Sequence, residues 1–139
     1  MKNVNEDTEE RIMVRKLVQK AIKLFQSAGK QAVLAQISNP GGMFVQGDRY
    51  VFALDERGAM LAHPFETELR GRIVIDLKDS DGKPFIEKIV VSAKTRGEGF
   101  IDYKWPHPES EKELSKTVFF EKIGGIIFCS GFYSSHEEL

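Results

Sequence analysis

An α+β domain, with one long amphipathic helix set against an antiparallel sheet of about five strands, follows from three features of this sequence. Apolar residues recur at three- and four-residue steps through the first forty positions. From residue 44 the period shortens to alternating β-rich runs broken by Gly, Pro and Asp. Those runs come as a hairpin, a crossing segment and three consecutive strands, an order that closes an antiparallel sheet and leaves the helix to cover one face. The 139 residues suffice for one domain with its own core, and 41% hydrophobic with 29% charged residues is ordinary for a globular chain.

The helical segment is expected over residues 8–38. Asp7 followed by Glu10 fits a capping arrangement at its start. Val14, Leu17, Val18, Ala21, Ile22 and Phe25 form one apolar stripe, with Lys16, Lys20 and Lys23 opposite. Gly29 interrupts the helix, and a second piece from Gln31 to Ile37 stops at Asn39-Pro40-Gly41-Gly42. The stripe suits packing on the domain's own sheet, with a homodimer interface as the alternative.

The sheet core is expected over residues 44–133, followed by a polar tail at 134–139. Arg49–Leu54 and Ala59–His63 read as a hairpin whose turn, Asp55 to Gly58, ends on a glycine where positive φ is needed. After Pro64 the chain reads as irregular to Asp79. A helix then starts near Asp81-Gly82-Lys83-Pro84, buries Phe85, Ile86, Ile89, Val90 and Ala93, and ends at Gly97. Strands at Phe100–Trp105, Leu114–Ile123 and Gly125–Tyr133 complete the pattern, joined by the turn at residues 106–110 and by Gly124-Gly125.

Several function classes fall away. A formal net charge of -1 argues against charge-driven binding to nucleic acid. No stretch approaches the roughly 20 apolar residues of a membrane span, and the polar start carries no leader. The chain reads as soluble and unexported as written, or as the extracytoplasmic piece of a longer protein. Cys129 is the only cysteine, placed in an apolar run that suits a buried inert thiol. Asp79-Ser80-Asp81-Gly82 suggests a calcium loop, but that register puts Leu77 at the first ligand position and Lys88 at the closing one, so an Asx-type turn is the better reading. His63, His107 and His136 have no metal-ligand spacing, and no nucleophile elbow, phosphate loop or dinucleotide fingerprint occurs. Neither a cofactor nor catalysis is expected.

Strand alternation is more informative. Residues 101, 103 and 105 share a face, as do Tyr50 with Phe52, Leu61 with His63, and Lys116 with Val118 and Phe120. If those faces converge, Tyr50, Phe52, His63, Tyr103, Trp105 and Lys116 line an aromatic cavity with a few polar tips and one cation, a composition suited to a small ligand. A cation beside tyrosine hydroxyls suits a carboxylate, since charge-assisted hydrogen bonds offset its desolvation. Each residue also has a plain structural role open to it: Phe52, Tyr103 and Trp105 as core aromatics, His63 as a hydrogen-bonded structural group, and Lys116 with its amine snorkelling to solvent.

Tyr50-Val51-Phe52, Gly58-Ala59-Met60-Leu61-Ala62-His63-Pro64, Leu69-Arg70-Gly71, the run from Asp76 to Phe85, Gly99 to Trp105, Lys116 and Gly131-Phe132-Tyr133 resemble, in order and spacing, the single-Cache family of sensory domains. The resemblance covers about Lys20 to Tyr133. It implies a long N-terminal helix on a PAS-like sheet of five to six strands and a pocket between the sheet and the crossing segment. It also implies a small organic carboxylate of the acetate, propionate, pyruvate or lactate class, bound by Tyr50, Phe52, His63, Tyr103, Trp105 and Lys116. Phe119 stands where the family pattern has Tyr, implying one hydroxyl fewer in the site. The alternative function is an interaction module that uses its N-terminal helix and holds no small ligand.

Overall fold

The computed structural model describes residues 4–134, with side chains from residue 8 onward. Helix α1 runs Val4–Ala28 and α2 runs Lys30–Ile37, joined at Gly29, whose φ of 92° a helix cannot accommodate. The backbone is already helical three residues before Asp7, so the expected cap position lies inside the helix. The side chain of Asp7, together with His136 and the rest of the tail from residue 135, lies outside the described residues.

Six strands follow: β1 (Val45–Gln46), β2 (Arg49–Asp55), β3 (Met60–Ala62), β4 (Glu98–Pro106), β5 (Glu113–Ile123) and β6 (Ile126–Tyr133). Their order across the sheet is β1-β2-β6-β5-β4, with β3 on β2, and every pairing is antiparallel. The hairpin turn forms because Asp55 Oδ1 accepts the Arg57 and Ala59 N–H groups at 2.9 and 3.0 Å. Gly58 completes it at φ 83°, where a Cβ would stand 2.7 Å from Ile75. Between β3 and α3 (Phe85–Arg96) the chain crosses the sheet face, and a 3₁₀ turn at Thr67–Leu69 lies in the stretch expected to be irregular. The two-residue β1 is too short to leave a periodic signal.

Alternation splits the core into two. The α1 and α2 side holds Val14, Leu17, Val18, Val33, Val51, Phe119, Phe128 and Phe132. The α3 side holds Tyr50, Phe52, Leu54, Met60, Phe85, Ile86, Tyr103, Val118, Phe120 and Cys129. The helix stripe read from sequence therefore packs on its own sheet.

One expected face is wrong. Leu61 packs against the α1-side cluster, whereas His63 lies against Tyr50 and Phe52 on the other side. Strand β3 spans three residues, and its register with β2 shifts between Ala53 and Leu54, so alternation does not carry as far as His63.

The Asp79 loop is an Asx-type turn that braces the sheet edge. Asp79 Oδ1 accepts the Asp81 and Lys83 N–H groups at 3.0 and 2.9 Å, and Oδ2 accepts the Lys104 N–H of β4 at 3.0 Å. Those bonds hold the Asp79 carboxyl below its usual range despite an opposing desolvation. The Lys83 amine donates to the Asp102 carbonyl, tying the same loop to the same strand.

Candidate functional site

Lys116 sits in mid-β5, directly across from Tyr103 on β4 and from Tyr133 on β6. Its side chain does not reach solvent: the residue is 1% exposed. The amine donates to the Tyr50 hydroxyl at 2.9 Å and lies 4.2, 5.2 and 5.4 Å from the ring centroids of Tyr50, Phe52 and Tyr133. None of the ion pairs among the described residues includes it. Burial without a carboxylate partner disfavours the ammonium form, and the Lys116 pKa falls from 10.5 to about 7.

The Tyr50 hydroxyl also approaches the Tyr133 hydroxyl at 3.5 Å, and Tyr133 donates to the Pro106 carbonyl at 3.0 Å. A chain of polar atoms thus runs from the Lys116 amine to the end of β4. Burial pushes the Tyr50, Tyr103 and Tyr133 phenols upward, so all three stay protonated at neutral pH.

His63 is 2% exposed and caps its own His-Pro turn: Nδ1 accepts the Phe65 and Glu66 N–H groups at 3.1 and 3.0 Å. Nδ1 is therefore unprotonated and Nε2 carries the ring proton. Desolvation, followed by the charges of Lys116 and Arg70, holds the imidazole well below its ordinary pKa, which keeps it a neutral donor. Its ring stacks on Phe52 at 5.6 Å with an interplanar angle of 26°.

Across from these groups, Phe85 of α3 stacks on Tyr103 at 4.0 Å and meets Trp105 edge-on at 5.3 Å. Phe52, His63, Tyr103, Trp105 and Lys116 enclose one small cavity together with Met60, Leu77, Phe85 and Ile86. Tyr50 closes it from the side by holding the amine, and it also forms a wall of an outer pocket with Phe65, Glu66, Pro106 and His107. All six residues named from sequence thus meet around one point. The inner cavity is about 10 Å³, roughly the space of one water molecule.

Further contributors escaped the sequence reading, Met60 and Leu77 among them. Tyr133 enters through the β5–β6 register, which only pairing reveals. Phe85 and Ile86 were legible as a buried helix face, but not as the wall opposite Lys116. The Phe119 expectation is corrected too: Phe119 lies on the α1 side, beside Phe100 and under the Arg15 guanidinium at 4.4 Å, so it removes no hydroxyl from the cavity. Cys129 is buried with its thiol pushed upward by desolvation.

The profile of the Cache domain family matches residues 4–138. The chain belongs to this family. A solved structure described as the structural basis for carboxylic acid recognition by a Cache chemosensory domain superposes with a TM-score of 0.80 at 24% identity. The match covers 97% of this chain and 100% of that one. Among curated proteins, the sensor histidine kinase MctS of Rhizobium johnstonii is 32% identical over 92 residues, which is 66% of this chain and 19% of MctS. The methyl-accepting chemotaxis protein McpP of Pseudomonas putida is 28% identical over 88 residues, 62% of this chain and 16% of McpP. The chain spans less than a fifth of either relative's length. As a Cache sensory domain, it shows a long helix on a six-stranded antiparallel sheet, and no helix among the described residues is long and apolar enough to cross a membrane.

Proposed function

We propose that this Cache domain is a non-catalytic sensor of a small organic carboxylate, held between the sheet and α3, with its carboxylate on Lys116. The observation that carries this reading is the buried Lys116 amine, which has no acidic partner among the described residues. An ionised lysine in such a place costs several kcal/mol unless an anion and further donors complete it. Two donors are at hand, the Tyr50 hydroxyl and the His63 Nε2–H. Phe85, Tyr103, Trp105 and Leu77 supply apolar walls for a short carbon chain.

The cavity is smaller than a two- or three-carbon acid, so binding has to displace a wall. Strands β2, β6 and β5 are each paired on both sides, whereas the crossing segment from Pro64 to Pro84 has little regular structure. Outward movement of that segment, and of α3 with it, is the change a downstream element would read. Signalling by this chain within a longer receptor or kinase belongs to the same proposal and is supported by its two relatives, and extracytoplasmic placement is inferred with it from membership of the Cache family.

Thermal shift of ligand-stripped protein against acetate, propionate, pyruvate and lactate tests the reading. At least one acid is expected to raise the melting point at millimolar concentration, since a ligand that binds only the folded state stabilises it. Lys116→Ala should remove that shift while preserving the fold. No shift with any of the four, or an undiminished shift in the variant, contradicts it.

A further inference from the structure

A buried lysine with a single hydroxyl partner can hold that partner in two ways. As an ammonium, the amine donates to the Tyr50 oxygen. As a neutral amine, it can instead accept the Tyr50 proton through its lone pair. The 2.9 Å separation fits both arrangements, and the Tyr133 hydroxyl 3.5 Å further on can receive the Tyr50 proton when the first arrangement holds. Three rings around the amine stabilise a cation only weakly by comparison with water or a carboxylate.

We propose that this site takes up a proton together with its anion: the Lys116 amine, neutral in part of the ligand-free molecules, becomes an ammonium as the carboxylate settles beside it and the Tyr50–Tyr133 hydrogen bonds reverse. The balance is one neutral amine, one carboxylate and one proton from solvent, giving one buried ammonium–carboxylate pair of zero net charge. The domain then responds to anion and acidity jointly. This inference rests on the carboxylate reading above and deepens it.

The surroundings leave the role to Lys116. Tyr50 on β2, Tyr103 on β4, and Tyr133 and Cys129 on β6 are all pushed upward by burial. His63, on the turn after β3, is pushed down, and Glu66 on the same turn is raised from 4.5 by burial and by Glu68. Asp48, before β2, acts on Lys116 from a distance, and α3 contributes only Phe85 and Ile86 to the cavity. His107 faces Tyr133 and hydrogen-bonds Asp48 at 3.2 Å without lining the inner cavity, so its substitution serves as the control. Of these displaced groups, Lys116 is the one brought down to about 7.

Calorimetric titration of the domain with propionate and with pyruvate, in two non-carboxylate buffers of different ionisation enthalpy, counts the protons. Uptake is expected to rise from roughly 0.1 proton per ligand at pH 6 to about one at pH 8.5, and the dissociation constant to weaken about tenfold from pH 7.5 to pH 8.5. His107→Gln should keep both trends. Binding at pH 8.5 with the same heat in both buffers and no loss of affinity overturns the proton coupling and leaves the carboxylate site standing. Loss of the trend in His107→Gln assigns it to the wrong group and overturns it as well. Absence of binding by either acid from pH 5.5 to pH 9 overturns the carboxylate reading and the coupling with it.

Discussion

The two faces of the sheet are made by alternate residues of the same strands, yet they are built to different specifications. The face under α1 is closed and nearly all apolar: Val51, Phe119, Phe128 and Phe132 meet the Val14–Ile22 stripe. The face under α3 carries the same bulk of aromatic carbon, but Tyr50, His63, Tyr103 and Lys116 bring polar atoms into it. In β5, Lys116 and Phe119 are three positions apart and end on opposite faces. A core that served stability alone would gain nothing from the lysine, because desolvating an amine opposes folding. The difference teaches that the α1 face holds the sheet together, while the α3 face carries buried polar groups that the proposed ligand would complete.

Truncation on the closed face has the largest expected effect on folding. Phe128 is fully buried and contacts the Phe25 ring at 5.7 Å. Phe128→Ala should cost about 3–5 kcal/mol in chemical denaturation, leaving the propionate affinity of the folded fraction little changed. A larger loss of affinity than of stability would mean the two faces are not separable.

On the other face, removal of the polar group should stabilise. The folded Lys116 pKa lies below its unfolded value, 10.5 falling to about 7, so between those limits the unfolded chain holds more protons and wild-type stability rises with pH. Each tenfold weakening of proton affinity on folding costs about 1.4 kcal/mol, part of which relaxation of the site recovers. Lys116→Met should therefore add roughly 2–4 kcal/mol at pH 6, a gain that shrinks to little by pH 10. Denaturation of both proteins across that range checks it. A destabilised variant at pH 6 would show that the amine is already compensated.

The smallest effect sharpens the assignment of Phe119. Because its ring lies under α1, Phe119→Tyr buries a hydroxyl away from the cavity. It should cost about 1–2 kcal/mol and leave ligand affinity unchanged. Tighter binding by this variant would return position 119 to the site.

Most of this division was legible in the sequence. The helix stripe, the hairpin with its Asp55–Gly58 turn, the α3 face and the strand faces of Tyr50, Tyr103 and Lys116 all follow from periodicity, which reports local geometry faithfully over eight or more residues. What failed was local geometry at short range. Strand β3 is too brief, and too irregular in register, for alternation to place Leu61 and His63. Tyr133 needed the β5–β6 register before it could join Lys116. Phe119 is the more useful lesson: its alternation with Lys116 already sets it on the opposite face, and only the family resemblance brought it toward the site. Cavity size was not legible at all, because it depends on how tightly Phe85, Leu77 and Trp105 close over the sheet.

The central claim is that Lys116 anchors an acid on the α3 face, and a crystal structure of the domain grown with propionate tests it most directly. The carboxylate is expected within hydrogen-bonding distance of the Lys116 amine and the Tyr50 hydroxyl, its carbon chain toward Phe85 and Trp105, with the inner cavity enlarged. Propionate seated instead in the open groove lined by Lys83, Lys88 and Phe100, with the Lys116 cavity still closed, would contradict it.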